Sequence, residues 1–326
     1  MINTSQSLES RLNFSITQLE YVWAVHKHGH FAKAAEACHI TQPTLSMQIH
    51  KLEEDLGIVI FDRSKKPILA TASGEKLIEQ IHKVLIEANK IHTLIESERF
   101  SGVQGELIVG IIPTIAPYLL PRLLPELARL YPHLRLKIRE LQTHQIIRSL
   151  NFDEIDVGIL ATPLKIGKIH EISLYYEPFE LLCQKKHALS KAKKAKYANL
   201  TFDDIWLLEE GHCLRNQVLD ICRSKHFQPA QRQFQFESGN LETLKSLINT
   251  YGGYTLLPSM ASDTIGSESC LIRFDRPVPS REIGLVYQRA QYKLPLVEAL
   301  NKSILTALPD EIRKLRPKDL EVLPVE

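Results

Sequence analysis

Two cysteines nine residues apart, Cys213 and Cys222, lie within the stretch LEEGHCLRNQVLDICR, Leu208 to Arg223. Thiols in such a place can attack an oxidant, pair as a disulfide, or fill a core, and the spacing bears on which. A helix beginning near Gly211 puts Leu214, Val218 and Ile221 on one face at i, i+4 and i+7, an amphipathic stripe that docks on a core. Along that helix the two cysteine Cα atoms stand about 14 Å apart, on opposite sides of the axis. A disulfide tolerates a Cα separation of only about 4.4 to 6.8 Å. Bridging the pair thus requires the helix to melt or refold, which would make the segment a switch. Cys213 falls in the first turn after a glycine, where unpaired N–H groups and the helix dipole favour an anion. His212 adjoins it and Arg215 is close in sequence, but Asn216 and Gln217 are its i+3 and i+4 neighbours. The competing reading is an inert pair, because free cysteines are commonly buried as small hydrophobes.

The remainder of the chain must position this segment. Its 326 residues, 44% hydrophobic and 24% charged, suit two or three ordinary soluble domains. The first fifteen residues are polar and carry no secretory signal, and the apolar stretch from Glu106 to Leu127 is interrupted by Pro113, Pro117, Pro121, Arg122 and Pro125. A cytoplasmic protein without a membrane partner is expected. Five cysteines, odd and sparse, fit a reducing compartment in which a disulfide is transient and sensing; Cys38, Cys183 and Cys270 read as core fillers. Residues 1 to 70 hold seven Lys/Arg and seven Asp/Glu, so bulk charge does not announce nucleic acid. A motif must carry that case.

From Thr17 to His28 the residues Leu19, Val22, Trp23 and Val25 recur with helical spacing, and Gly29 ends the run. FAKAAEAC is a second short helix whose alanines allow close approach. Thr41 caps a third, with Gln42 and Pro43 in its first turn, Leu45, Ile49, Leu52 and Leu56 as its buried stripe, and Gly57 at its end. The tight turn His39-Ile40 joins the last two into a helix-turn-helix. Opposite the stripe lie Pro43, Met47 and His50, flanked by Thr44, Ser46 and Lys51, with Gln42 at the tip. Several are short hydrogen-bonding residues suited to base edges in a major groove. IVIFDRSKKPILA then reads as two strands around a basic turn, with Arg63, Lys65 and Lys66 placed for phosphates. From Ala72 to Arg99, Leu77, Ile81, Val84, Ala88, Ile91 and Ile95 form an a/d seam, expected to pair with a second copy. Folding of that helix onto its own domain is the alternative.

Beyond Gly102 strands and helices alternate. ELIVGII, a proline-started helix, LRLKIRE, THQIIRSL and IDVGIL make a βαβαβ run and imply a parallel sheet. FELLCQ, WLLEE, the cysteine helix, RQFQFES, a helix from Asn240 to Thr250 and YTLLP make a second set, after which EIGLVYQ and LPLVEALNKSILTAL return to the first lobe. KKHALSKAKKAKY is read as a solvated face. The expected fold is α/β: an N-terminal winged helix-turn-helix over 1–71, a dimerising linker helix over 72–102, and a two-lobed, periplasmic-binding-protein-like regulatory domain over 103–326. Its lobe I covers about 103–176 and 281–326 and its lobe II about 177–280.

FAKAAEACHITQPTLSMQIHKLEEDLGIVIFDR strongly resembles the winged helix-turn-helix of LysR-type transcriptional regulators, and the long helix and two-lobed domain extend the resemblance over nearly the whole chain. Within the family the C-terminal half looks like the peroxide-sensing OxyR branch, on GIIPTIAPYLLP, LQTHQII, EEGHCLRNQVLDIC, LETLKSLI and REIGLVYQ. The resemblance implies that Cys213 is the thiolate attacked by hydrogen peroxide and Cys222 the resolving thiol. It also implies that Thr114, Thr143, His212, Arg215, Asn216 and Arg281 line or support the peroxide pocket. It further implies double-stranded operator DNA with paired half-sites and RNA polymerase as partners, a dimer that assembles into a tetramer, no cofactor and no metal. Asn216 departs from the aspartate usual in that branch, the segment after Cys222 is longer than usual, and the tail from Leu308 has no functional reading. An alternative is a LysR-type regulator of a small organic effector held between the lobes. An enzyme is not expected: a base beside a nucleophile in a helix diverges from it, and a DNA-reading head would be idle.

Overall fold

Ser15 begins the first helix with a reciprocal cap: its hydroxyl accepts from the Gln18 N–H while the Gln18 side chain accepts from the Ser15 N–H. The computed structural model describes residues 13–99, 103–167, 169–200, 204–222, 239–263, 265–288, 293–315 and 317–325. The chain divides into two units, Met1–Ser101 and Gly102–Glu326.

In the first unit α1 (Ile16–His28), α2 (Phe31–Ala37) and α3 (Gln42–Leu56) are followed by β1 (Phe61–Asp62), β2 (Leu69–Ala70) and α4 (Ala72–Arg99). The first and third helices end on Gly29 and Gly57, both left-handed, which lets the chain turn without a Cβ clash. Leu19, Val22 and Val25 of α1, Ala34 and Ala35 of α2, and Leu45, Ile49 and Leu52 of α3 share one core. Strands β1 and β2 pair antiparallel to make the wing. The long helix contributes Ile78, Ile81 and Leu85 to the same core, and His82 stacks on Trp23 of α1 at 4.1 Å. Part of the expected seam is thus used within the unit, while Val84 and Ile91 are exposed; the Ile95 side chain lies outside the described residues.

In the second unit β3 (Gly105–Ile111), α5 (Ala116–Leu130), β4 (Leu134–Glu140), α6 (Thr143–Asn151) and β5 (Val157–Thr162) form a parallel β4-β3-β5 layer. β6 (Ile169–Gln184) follows, then α7 (Cys213–Ile221), α8 (Leu241–Tyr251), β7 (Tyr254–Pro258), β8 (Ser269–Arg273) and β9 (Val278–Gln288). The chain closes with α9 (Leu294–Ala307), α10 (Asp310–Arg313) and β10 (Leu320–Val322). β9 pairs antiparallel with β5 on one side and β6 on the other, while the far end of β6 pairs with β7 and β8. Two apolar cores result: one built on β3, β5, α5 and α9, the other on the end of β6, α7, α8 and β7. β6 and β9 run through both and are the crossovers between lobes.

Some elements differ from the sequence reading. β6 starts ten residues before FELLCQ, because its first half is held by β9 rather than by a continuous apolar run. WLLEE forms no strand: Trp206, Leu207 and Leu208 are buried, Glu210 is exposed, and only the preceding Ile205 makes an isolated bridge, to Tyr254. RQFQFES lies outside the described residues. The tail acquires structure: β10 pairs parallel with β9, and Leu323 is buried in the second core. Gln217 of α7 donates to the Pro324 carbonyl at 3.4 Å. No described helix is long and apolar enough to cross a membrane.

Candidate functional site

Cys213 is the first residue of α7, after Gly211 and the cap residue His212. Gly211 has φ +93°, and a Cβ there would stand 2.7 Å from the Gln142 side-chain oxygen, so glycine lets the turn lie against the other lobe. Gln142 precedes α6 and Thr143 begins it. The Cys213 thiol donates to Thr143 Oγ1 at 3.2 Å, joining the two lobes through one hydrogen bond. His212 is buried, with Nε2 3.5 Å from Gln142 Nε2 and 3.6 Å from Glu209 Oε1. Burial holds its imidazole below the usual histidine range, against the opposing pull of Glu209.

Ile112, Thr114, Gln142, Thr143, Ala161, His212, Cys213 and Arg281 surround a cavity of about 10 Å³. Arg281, 1% exposed, donates through Nη1 to Thr114 Oγ1 at 2.9 Å and through Nη2 to the Thr114 carbonyl at 3.2 Å. Its Nε and Nη2 also reach Glu177 Oε2 at 2.9 and 2.7 Å. Glu177 and Arg281 are register partners on the crossover strands, and the second Glu177 oxygen accepts from the Met260 N–H. The guanidinium therefore reaches the pocket with its charge already balanced. Its fixed fork aims Thr114.

Arg215 and Asn216 do not line this cavity. Arg215 turns back to the Leu208 carbonyl at 3.0 Å, and Asn216 is exposed. Helical geometry explains Arg215, since an i+2 position does not share the Cys213 face; Asn216, at i+3, shares that face but is exposed to solvent. Cys222 ends α7 at the other extreme, buried in the second core, where burial pushes its thiol up to about 11. All five cysteines are free, and the helix is intact between Cys213 and Cys222. Further ties close the lobes: Tyr118 Oη donates to Glu242 at 2.7 Å, and Arg122 pairs with Asp263 at 2.5 Å. Glu242 also receives Lys245 Nζ at 2.8 Å.

In the head, Gln42, Pro43, Thr44 and Lys51 are exposed and Ser46 half-exposed along one side of α3; Lys65 and Lys66 are exposed in the wing turn. Thr41 accepts from the Thr44 N–H, and its hydroxyl also lies 2.8 Å from that of Thr44. Arg63 is tied to the head by one end of its fork, with Nη2 2.9 Å from Glu53 Oε2. The other Glu53 oxygen accepts from the Ile60 and Phe61 N–H groups, so this buried carboxylate ties the wing to α3. Sequence reasoning missed Glu53, Gln142 and Glu177. Gln142 alone carried a signal, as the residue before the α6 start in LQTHQII. Among the described residues no group of His, Cys, Asp and Glu is placed to hold a metal.

A winged helix-turn-helix in one unit and a two-lobed domain holding a pocketed thiol in the other define a DNA-binding regulator with a sensor domain. Residues 16–75 match the family model of the bacterial regulatory helix-turn-helix protein, lysR family, and residues 100–309 match that of the LysR substrate binding domain. The chain belongs to the LysR family of regulators, and within it the similarity is to OxyR. It is 37% identical over 277 residues to the hydrogen peroxide-inducible genes activator of Dickeya chrysanthemi, covering 84% of this chain and 89% of that one. It is 35% identical over 297 residues to the DNA-binding transcriptional dual regulator OxyR of Escherichia coli (strain K12), covering 88% and 94%. Among solved structures, a full-length OxyR variant from Pseudomonas aeruginosa matches with TM-score 0.75 at 32% identity, over 93% of this chain and 99% of that one. A peroxide-bound OxyR variant from Corynebacterium glutamicum matches with TM-score 0.59 at 29% identity, over 90% and 92%.

Proposed function

We propose that this chain is an OxyR-like transcriptional regulator of the oxidative stress response, switched by hydrogen peroxide through a reversible Cys213-Cys222 disulfide. The observation that carries this reading is the size and polarity of the Cys213 pocket. At about 10 Å³ it matches what one water-sized molecule needs. Small organic effectors occupy pockets of roughly 300–1,000 Å³. The Thr114 and Thr143 hydroxyls, the Gln142 amide and His212 offer hydrogen bonds to a peroxide beside the sulfur.

In the proposed chemistry the Cys213 sulfur attacks one peroxide oxygen. The S–O bond forms as the O–O bond breaks, and the departing hydroxide takes a proton to become water. Thr143, which now accepts from the thiol, can rotate to donate to the anionic sulfur. Cys222 then attacks the sulfenic sulfur, the S–S bond forms, and the hydroxyl leaves as a second water. Helical geometry holds the two Cα atoms about 14 Å apart, so this second step requires α7 to unwind from its seat between lobes. Unwinding breaks the Cys213–Thr143 contact and withdraws Cys222 from the second core, and the lobes and assembly contacts read out the change.

The head would bind duplex operator DNA through α3 and the wing, with Gln42, Pro43, Thr44, Ser46 and Lys51 toward bases and Lys65, Lys66 and Arg63 toward phosphates. Two copies joined along the exposed stripe of α4 would span paired half-sites, with tetramer formation and contact with RNA polymerase at a cytoplasmic promoter following from the same reading. Cys213→Ser is expected to abolish the peroxide response while leaving operator binding intact, measured by footprinting before and after a peroxide pulse. A normal peroxide response in that variant would exclude Cys213 as the sensor.

A further inference from the structure

A second thiol pair lies in lobe II, away from the Cys213 pocket. β6 and β8 are antiparallel neighbours, their register sets Cys183 opposite Cys270, and the two sulfurs are 3.7 Å apart. Directly opposed residues in such a pair have Cα atoms about 4.5–5.5 Å apart. That separation falls inside the range of about 4.4–6.8 Å that a disulfide spans. Forming this bond needs side-chain rotation and no change of fold, the opposite of the requirement at α7. Cys183 is fully buried in the second core, whereas Cys270 is half-exposed beside it. Cys270 is thus the more accessible of the two residues, with Cys183 sheltered next to it. The row continues across the sheet: Cys183 is also the register partner of Tyr254 on β7, which shares the second core with Cys222.

We propose that Cys183 and Cys270 form a second redox site, a reversible cross-strand disulfide that staples β6 to β8 when hydrogen peroxide is in excess. The inference goes beyond the Cys213 reading and stands without it, because nothing in the Cys213 pocket takes part. The Cys270 sulfur attacks a peroxide oxygen; the S–O bond forms, the O–O bond breaks, and the departing hydroxide leaves as water after taking a proton. The Cys183 sulfur then displaces the second oxygen, also as water, and the S–S bond forms. The dithiol loses two electrons and two protons, and one peroxide becomes two waters. Burial pushes the Cys183 thiol up to about 12, which keeps it protonated and slows its attack on the oxidised Cys270 sulfur. The staple fixes the end of β6, a strand shared by both lobes, beside the core that houses Cys222.

The test uses the full chain, reduced and titrated stepwise with hydrogen peroxide, with peptide mapping by mass spectrometry after each step. A Cys183–Cys270 linked peptide is expected to accumulate under excess peroxide and to vanish on adding a dithiol, with Cys38 free throughout. Cys270→Ser removes that linkage alone. In the Cys213→Ser/Cys222→Ser double variant two of the three remaining thiols are expected to disappear together. Titration of the wild-type chain to excess that leaves Cys183 and Cys270 free, or takes either to a sulfinic acid with no linkage, overturns the proposal. Because the two disulfides give different linked peptides, absence of the Cys213–Cys222 link with presence of this one would sink the sensor reading and leave this inference standing.

Discussion

His212 has surrendered its water to stand between Gln142 and Glu209, and that burial makes the residue a pH liability for the site. Its folded pKa lies below the ordinary value near 6.5. Above that value neither folded nor unfolded chain protonates the ring, so it contributes no pH dependence. As pH falls through about 6.5 the unfolded state takes up the proton first, and stability drops until the folded value is passed. The urea midpoint of the reduced chain is expected to fall between about pH 7.5 and about pH 5.5, and the fall should be smaller in His212→Gln. An equal fall in both would place the sensitivity elsewhere. At this scale the sequence revealed residue types better than partners. Cys213, Thr143, Thr114 and Arg281 could be grouped through the resemblance, and the structure gathers them around one cavity. Arg215 and Asn216 were grouped with them, but Arg215 turns to the Leu208 carbonyl and Asn216 is exposed. Glu177 gave no local sign, because its importance arises only from its place opposite Arg281 on a strand more than a hundred residues later.

At the scale of elements, the proposed switch sets α7 two demands to reconcile: to be stable enough to hold Cys213 at Thr143 and loose enough to unwind. Leu214, Val218 and Ile221 bury one face against the second core, an amphipathic stripe readable from spacing alone. The C-terminal tail adds a restraint that spacing could not show. Leu323 is buried in the same core, its N–H donates to the Ser280 carbonyl, and the Pro324 carbonyl accepts from Gln217 on α7. Leu323→Ala removes a buried side chain and is expected to cost about 2–3 kcal/mol, read from urea unfolding of the reduced chain. The same substitution should speed Cys213–Cys222 linkage after a peroxide pulse, because α7 loses part of its clamp. Lower stability with an unchanged linkage rate would mean that the tail supports lobe II without restraining the helix. The tail escaped the sequence reading because a three-residue parallel strand leaves too short a pattern, and its partner on β9 is chosen by the assembled sheet. Cys183 and Cys270 were read as fillers for a similar reason: register between strands 87 residues apart is not written in either strand.

At the scale of the molecule, the proposed reading has each head read one half-site and has a change at one thiol act on DNA by altering how copies are arranged. The alternation of strands and helices made the two-lobed unit legible, while the heptad spacing in α4 gave an expected seam. What the heptads could not separate was internal from external burial, and the structure divides them: Ile78, Ile81 and Leu85 complete the head's own core, while Val84 and Ile91 remain exposed at 37% and 59%. An exposed isoleucine on a helical stripe gains its burial free energy only against another surface. Ile91→Glu places a charge on that stripe while leaving the head's core untouched. It is expected to shift the chain to monomers in sedimentation equilibrium and to reduce an operator footprint from two half-sites to one, with the spacing of about one helical turn lost. The Cys213–Cys222 linkage should still form in this variant, because the chemistry resides in one chain. A variant that assembles like the parent would move the interface off α4, and the coupling between oxidation and DNA would then have to run through contacts between regulatory domains alone.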